Sequence, residues 1–272
     1  MPVTPPGVQP PAGPGRQSTM TSTPGVLCVH AHPDDEALFT GGLLASCAEQ
    51  GLRTGVVTCT WQQGDARVEE LRRSLEILGA GEPRLLGYRD SGMGGENTFC
   101  AAPFDEAVSR LVAHLREFRP EAVVTYDAFG TYGHPDHIRA HRVTLAAVEA
   151  ANCVQLYPEA GEPWQVGALY LAVLPRSAVA GAWRTLFGGD VPAPGPGVPG
   201  VPDEQVALRL DVRPWVDRKW AALLAHESET ARGAGAARLA GLPERVRQDL
   251  LGTECFLRRD LAPPSTVRTT LF

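Results

Sequence analysis

His30-Ala31-His32-Pro33-Asp34-Asp35-Glu36 sets two imidazoles and three carboxylates directly behind the apolar run Val26-Leu27-Cys28-Val29. That run reads as a short buried β-strand, and Ala37–Gln50 behind the cluster reads as a helix. The cluster therefore stands where a strand hands over to a helix, at the strand's carboxyl end. Open α/β sheets place their ligand sites there. A second cluster, Tyr132-Gly133-His134-Pro135-Asp136-His137, again pairs imidazoles with a carboxylate and follows another apolar run. Two such clusters suggest one metal site assembled from both.

Outward from these clusters the pattern alternates. Strand-like runs fall at Val26–His30, Thr54–Thr60, Arg84–Tyr88, Ala122–Asp127 and Ala168–Leu174. Helical patterns fall at Ala37–Gln50, Ala66–Gly79, Phe104–Phe118, Pro135–Ala151 and Arg176–Phe187. Continuous apolar strands alternating with helices predict an α/β fold: a Rossmann-like, doubly wound, mostly parallel sheet with helices on both faces. In the C-terminal third, a strand at Val206–Val212, a helix near Trp215–Arg232 and a strand including Cys255–Arg258 read as late additions to that sheet.

The 272 residues, 43% hydrophobic and 21% charged, fit one domain with a sizeable core, spanning 25–272. Ahead of it, segment 1–24 holds seven prolines and no apolar core, so it is expected to be disordered rather than a targeting peptide. The Pro/Gly segment 188–202 reads as a mobile loop. A net charge of −6 argues against a nucleic-acid partner. No apolar stretch of about 18 residues is present to span a membrane. The six cysteines show no regular spacing, and Cys28 and Cys59 sit in strand-like runs. Free thiols in a reducing, cytoplasmic setting are expected. There is no GxGxxG after the first strand and no GxxxxGK[ST], so the fold offers no phosphate cradle.

The residue types in the two clusters suit hydrolysis. His32 and Asp35 can face one point from the turn, and His137 can reach it from the start of a later helix. Two neutral imidazoles and a carboxylate suit a borderline divalent ion, Zn²⁺ or Fe²⁺, with coordination positions left open. Such an ion acidifies water toward neutrality. Asp34, adjacent to a ligand, can then serve as general base. His134 can stabilise an oxyanion or donate a proton, and Asp136 can hold it charged, since a nearby carboxylate raises a histidine pKa. Helix capping accounts for one of Asp34 and Asp35 but not for both with His32. Glu36 reads as a supporting or helix-dipole residue, and His30 as a packed histidine facing away by strand alternation. His114 reads as a surface residue. Spacing leaves His141 open between ligand and rim residue, and His226 open between site and packing.

These residues resemble the LmbE/PIG-L family of metal-dependent N-deacetylases. The likeness continues through Arg67–Leu71, Leu86–Met93, Arg119–Asp127 and the late Lys219–His226, and looks most like the actinobacterial branch. That branch includes the mycothiol-pathway deacetylase and amidase and the glycopeptide-antibiotic deacetylases. The resemblance implies His32, Asp35 and His137 as Zn²⁺ ligands, Asp34 as base, and His134 as the polarising or acid residue oriented by Asp136. It makes His141 a non-ligand. It also implies Tyr132 in carbonyl polarisation, and Arg67 and Asp90 in gripping sugar hydroxyls or a neighbouring anionic group. On residue type alone, Arg67 is a helix-start arginine and Asp90 a turn carboxylate.

The segment between Thr60 and Arg67 is shorter than in the mycothiol enzymes, and the small-residue insert before Arg89-Asp90-Ser91-Gly92-Met93 is missing. Shorter loops predict a more open mouth, with Trp61 and Trp164 as rim aromatics. The expected reaction is removal of acetyl from an N-acetylglucosaminyl unit of a small-molecule glycoconjugate. The expected substrate is a glycopeptide-antibiotic pseudoaglycone, the alternatives being the mycothiol precursor N-acetylglucosaminyl-inositol or a mycothiol S-conjugate. From another class, the rival is a metal-dependent carbohydrate-binding protein without catalysis, which leaves Asp34, His134 and Asp136 without a purpose. The sequence carries no indication of oligomeric state.

Overall fold

The apolar run of the first strand, β1 (Gly25–His30), is buried along almost its whole length. A strand covered on both faces has to be. The computed structural model describes residues 23–93, 98–187, 200–233 and 236–262. The expected disordered segment lies outside them except for Thr23 and Pro24, as does the expected mobile loop up to residue 199.

In chain order, β1 leads to α1 (Asp35–Glu49), β2 (Arg53–Thr60), α2 (Ala66–Leu78), β3 (Arg84–Tyr88), α3 (Phe104–Phe118) and β4 (Ala122–Tyr126). There follow the short turn α4 (Gly130–Gly133), α5 (Pro135–Ala151), β5 (Ala168–Val173) and α6 (Arg176–Phe187). The chain continues with β6 (Leu208–Asp211), α7 (Val216–Leu224), α8 (Glu227–Ala231), α9 (Ala236–Ala240), α10 (Glu244–Leu251) and β7 (Thr253–Asp260).

Among the described residues, seven strands form one sheet in the order β3-β2-β1-β4-β5-β7-β6. The first five run parallel, and β7 and β6 extend the edge antiparallel. Strand order reverses between β1 and β4, so a crevice opens outside their carboxyl ends. Both polar clusters emerge there. On one face, Leu111 and Leu115 of α3 and Val143 and Ala147 of α5 pack over Leu27, Val57 and Val123. On the other, Leu44 of α1, Leu75 and Leu78 of α2 and Leu223 of α7 cover Cys28, Val56 and Val124. The chain is thus a single α/β domain of the expected doubly wound kind.

Differences concentrate at the C-terminal end. The helix expected near Trp215–Arg232 is two helices, because His226 leaves helical geometry (φ −84°, ψ 67°) to turn its ring into the core. α9 and α10 are not foreseen from the pattern, while β7 contains the expected Cys255–Arg258. Four cysteines are buried, as expected of free thiols, but Cys100 is exposed and Cys153 half-buried. No helix among the described residues is long and apolar enough to cross a membrane.

Glu254 of β7 pins α1 to this added edge by accepting from the Gly42 and Leu43 amides at 2.8 and 2.9 Å. Gly42 is required by the close approach: a Cβ there would stand 2.3 Å from Val212 Cβ. Gly42→Ala is therefore expected to destabilise the fold by about 1–3 kcal/mol through overpacking, against a helix-propensity gain of at most about 1 kcal/mol. The urea midpoint should fall; an unchanged or raised midpoint would contradict the close contact.

Candidate metal centre

The first turn is shaped by its own backbone. Asp34 stands at the N-cap of α1 with φ 122° and ψ −27°, a conformation costly for an L-residue, and its side chain makes no capping hydrogen bond. Capping therefore leaves the Asp34 carboxylate free. Asp35, one residue on, points inward. Its Oδ2 accepts from the His32 amide at 2.8 Å and from the Tyr126 hydroxyl at 2.7 Å.

The same oxygen lies 3.3 Å from His32 Nδ1 and 3.4 Å from His137 Nε2. Each ring is oriented by a partner on its far nitrogen. His137 Nδ1 is 3.2 Å from the Gly130 carbonyl, while its buried Nε2 has no hydrogen-bond partner. His32 Nε2 is 3.1 Å from Asp136 Oδ2. With those protons assigned, both inner nitrogens turn lone pairs toward a carboxylate oxygen, an arrangement that calls for a cation. Donors sharing one tetrahedral ion at about 2.0–2.1 Å stand roughly 3.3–3.4 Å apart, which matches the two separations. A carbonyl or carboxylate behind each ligating imidazole is also the usual outer support of such a site. Two edges of the His32–Asp35–His137 set have the size a divalent ion requires, while the groups whose donors all lie within 4.8 Å of one another are His32–His134–His137 and His32–Asp90–His134–Asp136.

The positive charge this point calls for can also come from a proton on His32, whose Nδ1 then donates to Asp35. Burial opposes charge on Asp35, but His137 and His32 hold it well below the usual carboxylate range. Burial likewise opposes charge on His32, yet its bonds to Asp136 and Asp35 outweigh that and push it up to about 10. Carboxylates crowd this point and favour positive charge there. Asp34 behaves differently: burial and then repulsion from Asp35 push it up to about 7, against the pull of Arg67 and His226.

The second cluster is carried by α4 and α5. Gly130 is at φ 66°, and a Cβ there would meet His137 Cβ at 2.6 Å, so glycine lets its carbonyl reach the ring. Thr131 follows at φ 67°, held by its amide bond to Asp127 Oδ1 at 2.7 Å. His134 caps α5, its Nδ1 accepting from the Asp136 amide at 3.2 Å. The proton of the neutral ring is then on Nε2, and His134 is a donor. His32, His134 and His137 offer ring nitrogens all within 4.8 Å of one another. Burial, with His32 and His137 adding to it, lowers the His134 pKa.

That corrects one expectation. The Asp136 carboxylate does not hold His134 charged; it binds His32 Nε2, the Ser91 amide at 3.0 Å, the Ser91 hydroxyl and the Cys100 thiol at 3.1 Å. Its pKa is lowered: burial opposes this, but those bonds prevail. Asp90 keeps both of its readings, accepting from the Gly92 amide at 2.8 Å while standing 3.8 Å from His32 Nε2. Tyr132, half exposed, lies 5.0 Å from the His137 ring, at the mouth.

Arg67 is buried and engaged, bonding the Pro33 carbonyl, Glu229 at 2.8 Å and, at 3.7 Å, Asp34 Oδ1. The Trp61 ring covers it at 5.0 Å. Trp164 is not a rim residue: its indole donates to the Pro120 carbonyl at 2.8 Å, ahead of β4, at the sheet edge opposite the cluster. Glu36 supports the turn, accepting from the Asp34 amide at 2.9 Å. His30 is packed: its Nε2 meets Thr40 Oγ1 at 2.9 Å and burial lowers its pKa to about 4. His141 Nδ1 binds the Tyr126 carbonyl at 2.8 Å, outside the cluster. His114, expected at the surface, is half-buried, and His226 does reach the site's support, through Glu36 at 2.7 Å.

Tyr126 is the residue that sequence reasoning missed. Fully buried at the end of β4, it stacks on His137 at 4.1 Å and 13° while its hydroxyl joins Asp35 to the Ala31 amide. A hydroxyl-bearing aromatic closing a central apolar strand was the available signal.

Residues 27–148 match the family model described as PIG-L, GlcNAc-PI de-N-acetylase. A 1D-myo-inositol 2-acetamido-2-deoxy-alpha-D-glucopyranoside deacetylase of Rhodococcus jostii is 42% identical, the alignment covering 85% of this chain and 90% of that protein. Among solved structures, an N,N'-diacetylchitobiose deacetylase from Pyrococcus horikoshii superposes with a TM-score of 0.60 at 17% identity, covering 90% and 86% of the two chains. The A40926 pseudoaglycone deacetylase does so with a TM-score of 0.53 at 20% identity, covering 88% and 98%. At these identities the two structures share the fold.

Asp136→Asn is expected to weaken divalent-metal affinity about 10–100-fold, since it removes the carboxylate behind His32, and His137→Ala should abolish stoichiometric binding. Competition with a zinc-chelating dye reads both. Unchanged affinity in either variant would remove the case for this ligand set.

Proposed function

The chain belongs to the PIG-L family of de-N-acetylases, and from that premise we propose that it hydrolyses the 2-acetamido group of an N-acetylglucosaminyl-inositol. The family supports the reaction class, hydrolytic deacetylation. The observation that carries the mechanism is the unpartnered His137 Nε2 facing the same Asp35 oxygen as His32 Nδ1.

In this reading His32, Asp35 and His137 hold a divalent ion, Zn²⁺ or Fe²⁺. The ion, when bound, polarises the acetamide carbonyl and acidifies water. Asp34 takes a proton from the water as its oxygen bonds to the carbonyl carbon. His134, a neutral donor at the open side of the cluster, bonds the developing oxyanion. The C–N bond then breaks, Asp34 passes its proton to the departing amine, and acetate and the free glucosamine leave. Tyr132 and Asp90 border the place the sugar occupies. Arg67 acts from behind, bracing the Pro33–Asp34 turn and moderating the charge of Asp34.

The substrate differs from the one expected on loop length. A short segment after β2 was to open the mouth for a glycopeptide, but Trp61 is only half-buried at the rim and lays its ring over Arg67. The short loop thus closes onto the guanidinium instead of presenting a broad aromatic platform. The inositol-linked glucosaminide, the precursor in the mycothiol pathway, is also what the relative with 42% identity deacetylates by name.

Acetate release should be highest from N-acetylglucosaminyl-inositol when it is compared with a glycopeptide pseudoaglycone and a thiol S-conjugate. Preferred turnover of either of the others would replace this substrate assignment. Asp34→Asn should lower kcat by ~10²–10⁴-fold while one metal ion per chain is retained. A metal-loaded variant with near-full turnover would remove Asp34 from the role of base.

A further inference from the structure

We propose that His226 and Glu36 form a positioning pair that holds Asp34 in its reactive conformation, so that the C-terminal third of the chain sets the geometry of the base. The inference rests on the reading of Asp34 as base and deepens it.

Asp34 does not hold its own backbone. At φ 122° it occupies a region that surrounding structure must enforce. The tie is its amide, which donates to Glu36 Oε2 at 2.9 Å. The Glu36 carboxylate is fixed in turn from its other oxygen. Oε1 accepts from the Ser74 hydroxyl of α2 at 2.5 Å and faces His226 Nε2 at 2.7 Å. Both members of the pair are buried, Glu36 at 0% exposure and His226 at 1%. His226 Nδ1 has no hydrogen-bond partner, so the bond to Glu36 is the polar tie that justifies burying the ring.

The surroundings hold His226 in place. Directly after it, Ser228 donates from its amide and hydroxyl to Glu70 of α2 at 2.9 and 2.7 Å. Glu229 bonds Arg67, which in turn bonds the Pro33 carbonyl. The break between α7 and α8 is therefore where the chain turns a donor inward and fastens the segment that follows it. Removing the imidazole leaves Glu36 with Ser74 alone on that oxygen. The carboxylate can then rotate, and the Asp34 peptide can relax toward an ordinary φ. A displacement of about 1 Å at a reacting group costs on the order of 10²-fold in rate.

The test uses the full-length, metal-loaded protein. His226→Ala is expected to lower kcat by ~10²-fold with KM and bound metal unchanged. His226→Gln, which returns an N–H donor to the same place, should recover most of that loss. In the Asp34→Asn background, His226→Ala should cost no more than about twofold, since residues acting as one unit are not additive. Should His226→Ala fail to fold, Ser74→Ala, on the same Glu36 oxygen, carries the test with a roughly tenfold fall in kcat and the same loss of effect in Asp34→Asn. Unchanged kcat in a folded His226→Ala, or a full multiplicative loss on top of Asp34→Asn, overturns the pairing while leaving Asp34 as base. Near-full turnover by Asp34→Asn alone overturns the base reading, and this inference with it.

Discussion

One oxygen, Asp35 Oδ2, organises the centre. It accepts from the His32 amide and the Tyr126 hydroxyl, and two imidazole nitrogens face it at 3.3 and 3.4 Å. A buried carboxylate tolerates its desolvation only when it is hydrogen-bonded and charge-compensated. Here the compensation comes from both clusters, one on the turn after β1 and one at the start of α5. The sheet order makes that meeting geometrically natural, because β1 and β4 are neighbours across the point where the winding reverses.

The two clusters are laced together rather than merely adjacent. The first supplies His32, but the carboxylate behind His32 is Asp136 of the second. The second supplies His137, whose ring stacks on Tyr126, and Tyr126 bonds Asp35 of the first. The first cluster thus depends on the second for the carboxylate behind His32, while His137 has the Gly130 carbonyl of its own turn behind it. That explains why the paired motifs carry information that neither carries singly, and why a one-sided change should be felt across the centre.

The parallel half of the fold was legible because its signals are local. Long apolar runs at Thr54–Thr60 and Arg84–Tyr88, and helical patterns at Phe104–Phe118 and Pro135–Ala151, reappear as elements with nearly the same bounds. Spacing and place at strand ends also bring His32, Asp35 and His137 together, and both rings face one Asp35 oxygen. What was not legible depends on partners distant in sequence. The direction of the Asp136 carboxylate is decided by His32, Ser91 and Cys100, not by the neighbouring His134. Trp164 lies in a loop that could serve either sheet edge, and its bond to Pro120 decides for the far one. The helix break at His226 is invisible to periodicity, since Ala221 to Leu224 continue a good helical pattern and a buried acceptor on α1 overrides it.

The added antiparallel edge also has a consequence for the reacting side. Glu254 accepts from the Gly42 and Leu43 amides and from Lys219 Nζ at 2.7 Å, so α1, α7 and β7 are fixed to one another in the interior. Lys219 and Glu254 are both nearly fully buried, and such a pair adds little net stability once desolvation is counted, while removing one partner strands the other's charge. It joins α7 to α1, and α7 ends two residues before His226. The mouth is built differently: Tyr132 and Phe129 are about half exposed there, and two strained residues, Thr131 and Asp34, flank the cluster. The back of the centre is thus held by buried charge and the front by a short strained turn.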